Sequence, residues 1–280
     1  MDFDFNKIPS FGVAGNFTGH LEQAGEASDF THIKTVDATA PKALFPTYIP
    51  SAGDNVPAFL GVFPFNADTI IFPKGEEKLQ IEPECGVVFD AVWKDSVITE
   101  LKPLFFGASN DCSIRKEGAK KISQKKNWGS CSKGFSSHLI PVDDFSKKGI
   151  LDNYRIASFL VRDGNAFAYG EDSAVRDYSY IYEKLTAWLI EKLNNQKDEG
   201  PAENIHSYLV SSGCPDRIMI SIGATRYTDF GEHNFLQNKD ISVVVLYPED
   251  KYSAEQIKQK VETHNLDDDD ISALWQTVVL

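Results

Sequence analysis

The chain has 280 residues, 42% apolar and 12% aromatic, enough to bury a substantial core without staples, and no apolar run approaches the roughly 20 residues of a membrane helix. Its formal net charge of −13 argues against nucleic acid as a partner, because phosphate binding needs clustered Lys and Arg and the only basic concentration, Arg115 to Lys126, is local. The acidic start MDFDFNKIPS lacks the basic leader and apolar core of a signal peptide, and Cys85, Cys112, Cys131 and Cys214 have no CxxC or metal-finger spacing, so reduced thiols in the cytoplasm are expected.

Residues 11–27 predict a short strand, a glycine-rich turn and a helical stretch from near Thr18. Residues 40–58 hold Pro41, Pro46, Pro50 and Pro57 with a Gly53-Asp54-Asn55 turn, which predicts an irregular connection. Strands are expected at 59–63, 68–72, 79–93 and 96–108. The segment RIASFLVRDGNAFAYG (155–170) alternates apolar and polar about Asp163-Gly164, a pair that tolerates positive φ and so predicts a hairpin. Two more strands follow at 217–222 and 241–247. Between them DYSYIYEKLTAWLIEKLNNQ (177–196) places Tyr178, Ile181, Tyr182, Leu185, Trp188, Leu189 and Leu193 at helical spacing, a stripe for docking on a sheet. AENIHSYLVSSG (202–213) predicts a shorter helix ended by Gly213. The tail predicts an amphipathic helix, an acidic turn and an apolar terminus that docks on the body.

The chemistry concentrates in LQIEPECGVVFD (79–90). Side chains alternate along a strand, so Ile81, Pro83, Cys85, Val87 and Phe89 share one face while Glu82, Glu84 and Gly86 share the other. The two glutamates then have Cα atoms about 6 to 7 Å apart, near enough for both carboxylates to reach one ion. A solvent-facing edge strand is the plain alternative, since Pro83 cannot donate to a ladder. Asp111, where the apolar strand 105–109 ends, offers a third carboxylate; alone it reads as a turn residue. Lys133, set among small residues, is either a snorkelling surface lysine or a fixed cation beside a developing anion. His20, with Glu22 and Gln23 near it, is an imidazole able to act as a general base at neutral pH.

In chain order these blocks resemble the fumarylacetoacetate hydrolase superfamily. The similarity runs through Gly15-Asn16-Phe17 with His20, Glu82-Pro83-Glu84-Cys85-Gly86-Val87-Val88, Asn110-Asp111-Cys112-Ser113-Ile114-Arg115, Trp128 to Lys133-Gly134-Phe135, Pro141, and Asp163-Gly164 to the helix at 177–196. It covers roughly residues 12–248. The resemblance implies a mixed β-roll with a few peripheral helices, a β-rich α+β fold, and a homodimer. It implies Mg²⁺ or Mn²⁺ on Glu82, Glu84 and Asp111, oxygen ligands that suit such hard ions. In that family the metal chelates a 2-oxo or 1,3-dioxo acid, the lysine matching Lys133 holds a substrate oxygen, and the histidine matching His20 activates water with a neighbouring acid, here Glu22. The chain departs from the pattern at Gln23, where an acid is usual three residues after the histidine, and at Ser136, where an Asp is frequent. A Lys-Pro pair is absent from 61–70, and the substrate loop has only an echo in Ser221-Ile222-Gly223-Ala224-Thr225-Arg226.

The expected organisation is a single structural domain: residues 1–54 pack on the core and carry His20, 55–248 form the catalytic β-roll, and 249–280 are a C-terminal extension. The expected function is C–C bond hydrolysis or decarboxylation of a small oxo acid, with Ser221 and Thr225 beside substrate and Arg115 and Arg226 gripping its carboxylate through paired hydrogen bonds. A hydratase or isomerase on the same metal, and a catalytically silent ligand-binding protein, are the alternatives.

Overall fold

The computed structural model describes residues 4–30, 35, 37–116 and 118–280. Fourteen strands are described: β1 (Ser10–Ala14), β2 (Ala43–Tyr48), β3 (Thr69–Ile71), β4 (Leu79–Gln80), β5 (Pro83–Lys94), β6 (Val97–Asn110), β7 (Ser113–Ile114), β8 (Gly134–Phe135), β9 (Ile140–Pro141), β10 (Tyr154–Arg162), β11 (Asn165–Ala174), β12 (Arg217–Ser221), β13 (Ile241–Pro248) and β14 (Ser272–Val279). The helices are α1 (His20–Gln23), α2 (Ser123–Lys126), α3 (Tyr182–Asn195), α4 (Ile205–Ser211), α5 (Asp229–His233) and α6 (Ala254–Glu262). None of them is long and apolar enough to cross a membrane.

One sheet runs β2-β1-β12-β5-β6-β8, with β9 also on β6; a second runs β11-β10-β13-β14-β3; β4 and β7 pair separately. Both large sheets are mixed, since β1 lies parallel to β12 and β3 parallel to β14 while the other pairs are antiparallel. This is the expected β-rich α+β roll. Its main core takes Cys85, Val87, Phe89 and Ala91 from one face of β5, whereas Val88 on the other face packs with Phe135 and Met219. The predicted alternation of this strand is therefore present residue by residue. The predicted hairpin is β10–β11, with φ of 51° at Asp163 and 78° at Gly164.

Four expectations are corrected. Residues 43–48 form a strand despite Pro46, because β2 is the sheet edge, where a residue without an N–H breaks no ladder. Residues 58–61 turn as a 3-10 helix after Pro57 rather than extending. The 79–93 strand is interrupted at Ile81-Glu82, and β5 is central, not an edge; Pro83 is its first residue. The helix predicted from 177 begins at Tyr182, and Tyr178 instead sends its hydroxyl into the roll. The apolar terminus is a strand, β14, inserted between β13 and β3.

Candidate active site

The β5–β6 hairpin brings the acids together. It closes at Asp95-Ser96, both at positive φ, and its register pairs Pro83 with Asn110 and Glu84 with Ser109. One step outward, Glu82 faces Asp111, and the Asp111 N–H donates to the Glu82 carbonyl at 3.0 Å. Directly opposed and diagonal side chains on one face of such a pair are neighbours. Carboxylate oxygens of Glu82, Glu84 and Asp111 accordingly lie within 4.8 Å of one another, all three residues buried. Asp111, at the end of β6, is not an exposed turn residue: it is 2% exposed, closed in by the residues described next.

Each carboxylate has a different environment. Burial opposes ionisation of Glu82, but Lys126 and Arg115 outweigh it and hold this carboxyl well below the usual range. For Glu84 burial acts in the same direction as the charges of Asp111 and Glu82, so its affinity for a proton is strongly raised. The Gly223 N–H donates to Glu84 Oε2 at 2.8 Å from a backbone at φ +117°, a conformation that favours glycine. Tyr178 O–H donates to the Gly223 carbonyl at 2.6 Å, and the Asn16 amide bonds Ile222 and Tyr180, which explains the Gly15-Asn16-Phe17 block as a strut for this loop. Gly86 has its own reason: a Cβ there would lie 2.5 Å from a Phe135 ring carbon.

His20 is buried, and its Nδ1–H donates to the Thr225 carbonyl at 2.8 Å. A carbonyl only accepts, so Nδ1 carries the proton and Nε2 the lone pair. Burial keeps this imidazole neutral to lower pH than usual, against the opposing pull of Glu82. The Thr225 hydroxyl is itself buried without a hydrogen-bond partner, and Ser221 Oγ pairs with Ser109 Oγ at 2.8 Å. Lys133 is 1% exposed, 3.0 Å from Asp111 Oδ1, and also donates to the Cys112 carbonyl.

Three expected residues are placed elsewhere. Glu22 is exposed, because side chains two apart on a helical turn point in different directions; the buried acid of this segment is Glu26. Arg115 does not offer a free fork. Its Nε donates to Gln80 at 2.6 Å and its terminal nitrogens to Glu26 at 2.8 Å, Ser113 at 3.3 Å and Tyr227 at 2.7 Å. One of them also lies 2.7 Å from Glu82 Oε1. All the guanidinium donors are thus engaged within the protein. Arg226 sits at the surface in an ion pair with Glu171 at 2.5 Å. Gln23, in place of the family's acid, is structural: it bonds both the N–H and the carbonyl of Tyr227.

Sequence reasoning missed Lys126. Its Nζ lies 2.5 Å from Glu82 Oε2 and 2.8 Å from Asp111 Oδ2, with the side chain 3% exposed. Lys125 beside it pairs with Glu26 at 3.2 Å. Beyond Glu26, Lys125 and Arg115 opens a cavity of about 580 Å³, also lined by Gln80, Lys116 and Glu232, a size suited to a small ligand. The terminal strand backs the site: Gln276 accepts from Asn110 at 3.0 Å and donates to the Lys133 carbonyl at 3.1 Å.

Glu203 was also missed. Ser123 Oγ, at the start of α2, donates to its Oε1 at 2.9 Å, its Oε2 is buried without a hydrogen bond, and burial pushes its carboxyl up to about 7. A carboxyl raised above its unfolded value of 4.5 stabilises the fold below that pH, and the contribution is lost as pH rises through 7. Glu203→Gln is expected to flatten the stability profile between these limits and to raise stability at pH 8 by on the order of 2 kcal/mol, read from denaturant melts at several pH values.

A family model described as "Family of unknown function (DUF5718)" matches residues 26–278. The chain belongs to this family. Among curated proteins none matches the sequence. Solved structures do match the DUF5718 chain. A 2-keto-3-deoxy-D-arabinonate dehydratase is 16% identical with TM-score 0.56, the match covering 97% of this chain and 72% of that one. The same enzyme complexed with magnesium and 2,5-dioxopentanoate is 15% identical with TM-score 0.55, again covering 97% and 72%. A protein from Oleispira antarctica assigned as a fumarylacetoacetate isomerase/hydrolase is 12% identical with TM-score 0.54, covering 97% and 93%. The DUF5718 chain thus has the fold of the fumarylacetoacetate hydrolase superfamily, and at these identities the likeness is one of fold.

Proposed function

We propose that the DUF5718 chain is a divalent-metal-dependent enzyme acting on a small 2-oxo or 1,3-dioxo acid, by C–C bond hydrolysis or decarboxylation. The carrying observation is the buried triad of Glu82, Glu84 and Asp111, whose oxygens converge within 4.8 Å. The donor set fits Mg²⁺ or Mn²⁺: three buried carboxylates offering hard oxygens, of which Glu82 Oε1 now faces Arg115 at 2.7 Å and Asp111 Oδ2 faces Lys126 at 2.8 Å. When bound, such an ion supplies Lewis acidity and a template for two substrate oxygens.

The remaining chemistry belongs to the chain. His20, neutral and held in one tautomer by the Thr225 carbonyl, presents Nε2 to take a proton from water or substrate. Lys133 supplies a fixed ammonium for a developing enolate or carboxylate oxygen. The unpartnered Thr225 hydroxyl is a donor for a substrate oxygen. Arg115 is a positioning residue, bridging Glu82 and Glu26. A second reading, addition or removal of water across a sugar-acid substrate, draws on the dehydratase of the same fold that holds magnesium and 2,5-dioxopentanoate.

The test is a panel of acylpyruvates, oxaloacetate and 2-keto-3-deoxy sugar acids assayed with Mg²⁺ or Mn²⁺, products resolved by mass. Loss of carbon favours cleavage, and loss of water alone favours the second reading. Asp111→Asn is expected to weaken Mn²⁺ binding roughly 100-fold by titration calorimetry. No turnover by the parent protein on any member would overturn the proposal. The expected homodimer is checked by light scattering on the same samples.

A further inference from the structure

We propose that Lys126 is an internal competitor for the metal position, so that uptake of a divalent ion is coupled to withdrawal of its ammonium from between Glu82 and Asp111. The inference rests on reading the triad as a metal site. Lys126 Nζ contacts one oxygen of Glu82 and one of Asp111, at 2.5 and 2.8 Å, and so faces two of the three proposed ligands. An ammonium and a divalent ion on the same carboxylates would be like charges in a buried setting, where their repulsion is poorly screened.

The charge inventory points the same way. Among the described residues, Glu26, Glu82 and Asp111 form ion pairs with Arg115, Lys125, Lys126 and Lys133. A divalent ion adds positive charge beside these cations, and the one most directly opposed is the ammonium lying between two of its proposed ligands. Arg115 is pinned by its five partners, and Lys133 contacts Asp111 and the Cys112 carbonyl. Lys126 is a point charge on a flexible stem. Its backbone is fixed, since the adjacent Asn127 side chain donates to the carbonyls of Thr47 at 2.8 Å and Val62 at 3.0 Å. The ammonium has somewhere to go: the Glu26 charge already acts on it, and the Phe45 ring centre is 5.3 Å away.

The experiment titrates Mn²⁺ into the full-length parent, Lys126→Met and Lys126→Arg by calorimetry and by electron paramagnetic resonance of free Mn²⁺. Lys126→Met is expected to bind at least about tenfold tighter than the parent, and Lys126→Arg, which keeps the charge, no tighter. Melting temperature should rise more with Mn²⁺ in Lys126→Met than in the parent. Equal affinity in the parent and Lys126→Met would overturn the competitor role while leaving the metal site standing; no Mn²⁺ binding by either would overturn the metal site itself. Should Lys126→Met not fold without the ion, a Mn²⁺-soaked crystal of the parent decides: Nζ displaced from Glu82 and Asp111 supports the proposal, and Nζ still on both with Mn²⁺ at the triad overturns it.

Discussion

Arg115→Met is expected to lower stability by about 3 to 5 kcal/mol, the usual cost of removing one partner from a buried ion pair. The methionine matches the stem but leaves Gln80, Tyr227 and two carboxylates without their shared donor. Lys125 and Lys126 remain beside Glu26 and Glu82, which keeps the loss near this range rather than above it. Arg115→Lys should recover little, because a single ammonium cannot span acceptors arrayed about a planar fork. Arg226→Met is the matched control: its pair with Glu171 is close to half exposed on both sides and contributes under about 1 kcal/mol. Acid should act on the parent along the same path. Glu82 is held below its unfolded pKa, so its contribution is present above pH 4.5 and is lost as pH falls through the depressed folded value. Calorimetric melts of the three variants check this; an Arg115→Met protein melting together with Arg226→Met would remove the keystone role.

Under the proposed function, His20→Asn is expected to reduce kcat by about 10²- to 10⁴-fold, the range for loss of a general base, with Mn²⁺ affinity unchanged. Asparagine can still donate to the Thr225 carbonyl, so the loop stays in place and the lost element is the basic nitrogen. The pH profile carries a sign. The base must be unprotonated, and burial lowers its pKa below 6.5; activity therefore persists below the range of an ordinary histidine and falls only as pH drops through the lowered value. Activity that halves near pH 6.5 or above, or a His20→Asn enzyme within threefold of the parent, would remove His20 from the chemistry.

The two strands that carry the acids were legible because their cause is local. Period-two alternation places Glu82 and Glu84 on one face, and Asn110-Asp111 at the strand end falls opposite them once β5 and β6 fold back on each other. Asp163-Gly164 was legible for the same kind of reason. Glu22 was misjudged because it neighbours His20 in sequence, whereas the chain bends after one helical turn and returns Glu26 to the interior. Arg115 was misread because a sequence shows a guanidinium but not how many acceptors surround it.

Lys126 marks the boundary between the two sources of information. In KKISQKK it is one of several lysines, and nothing nearby separates the buried Lys125 and Lys126 from Lys120 and Lys121. The sequence by itself determined that Glu82 and Glu84 share a strand face and that Asp163-Gly164 turns a hairpin, since each follows from the spacing of neighbours along the chain, while the resemblance added Asp111 to the pair. Only the tertiary structure decided which cations answer those acids, which acid stands near His20, and that residues 272–279 back the site. The physical reason is desolvation: a charge stays buried only when partners from distant segments arrive together, and that balance is a property of the packed whole.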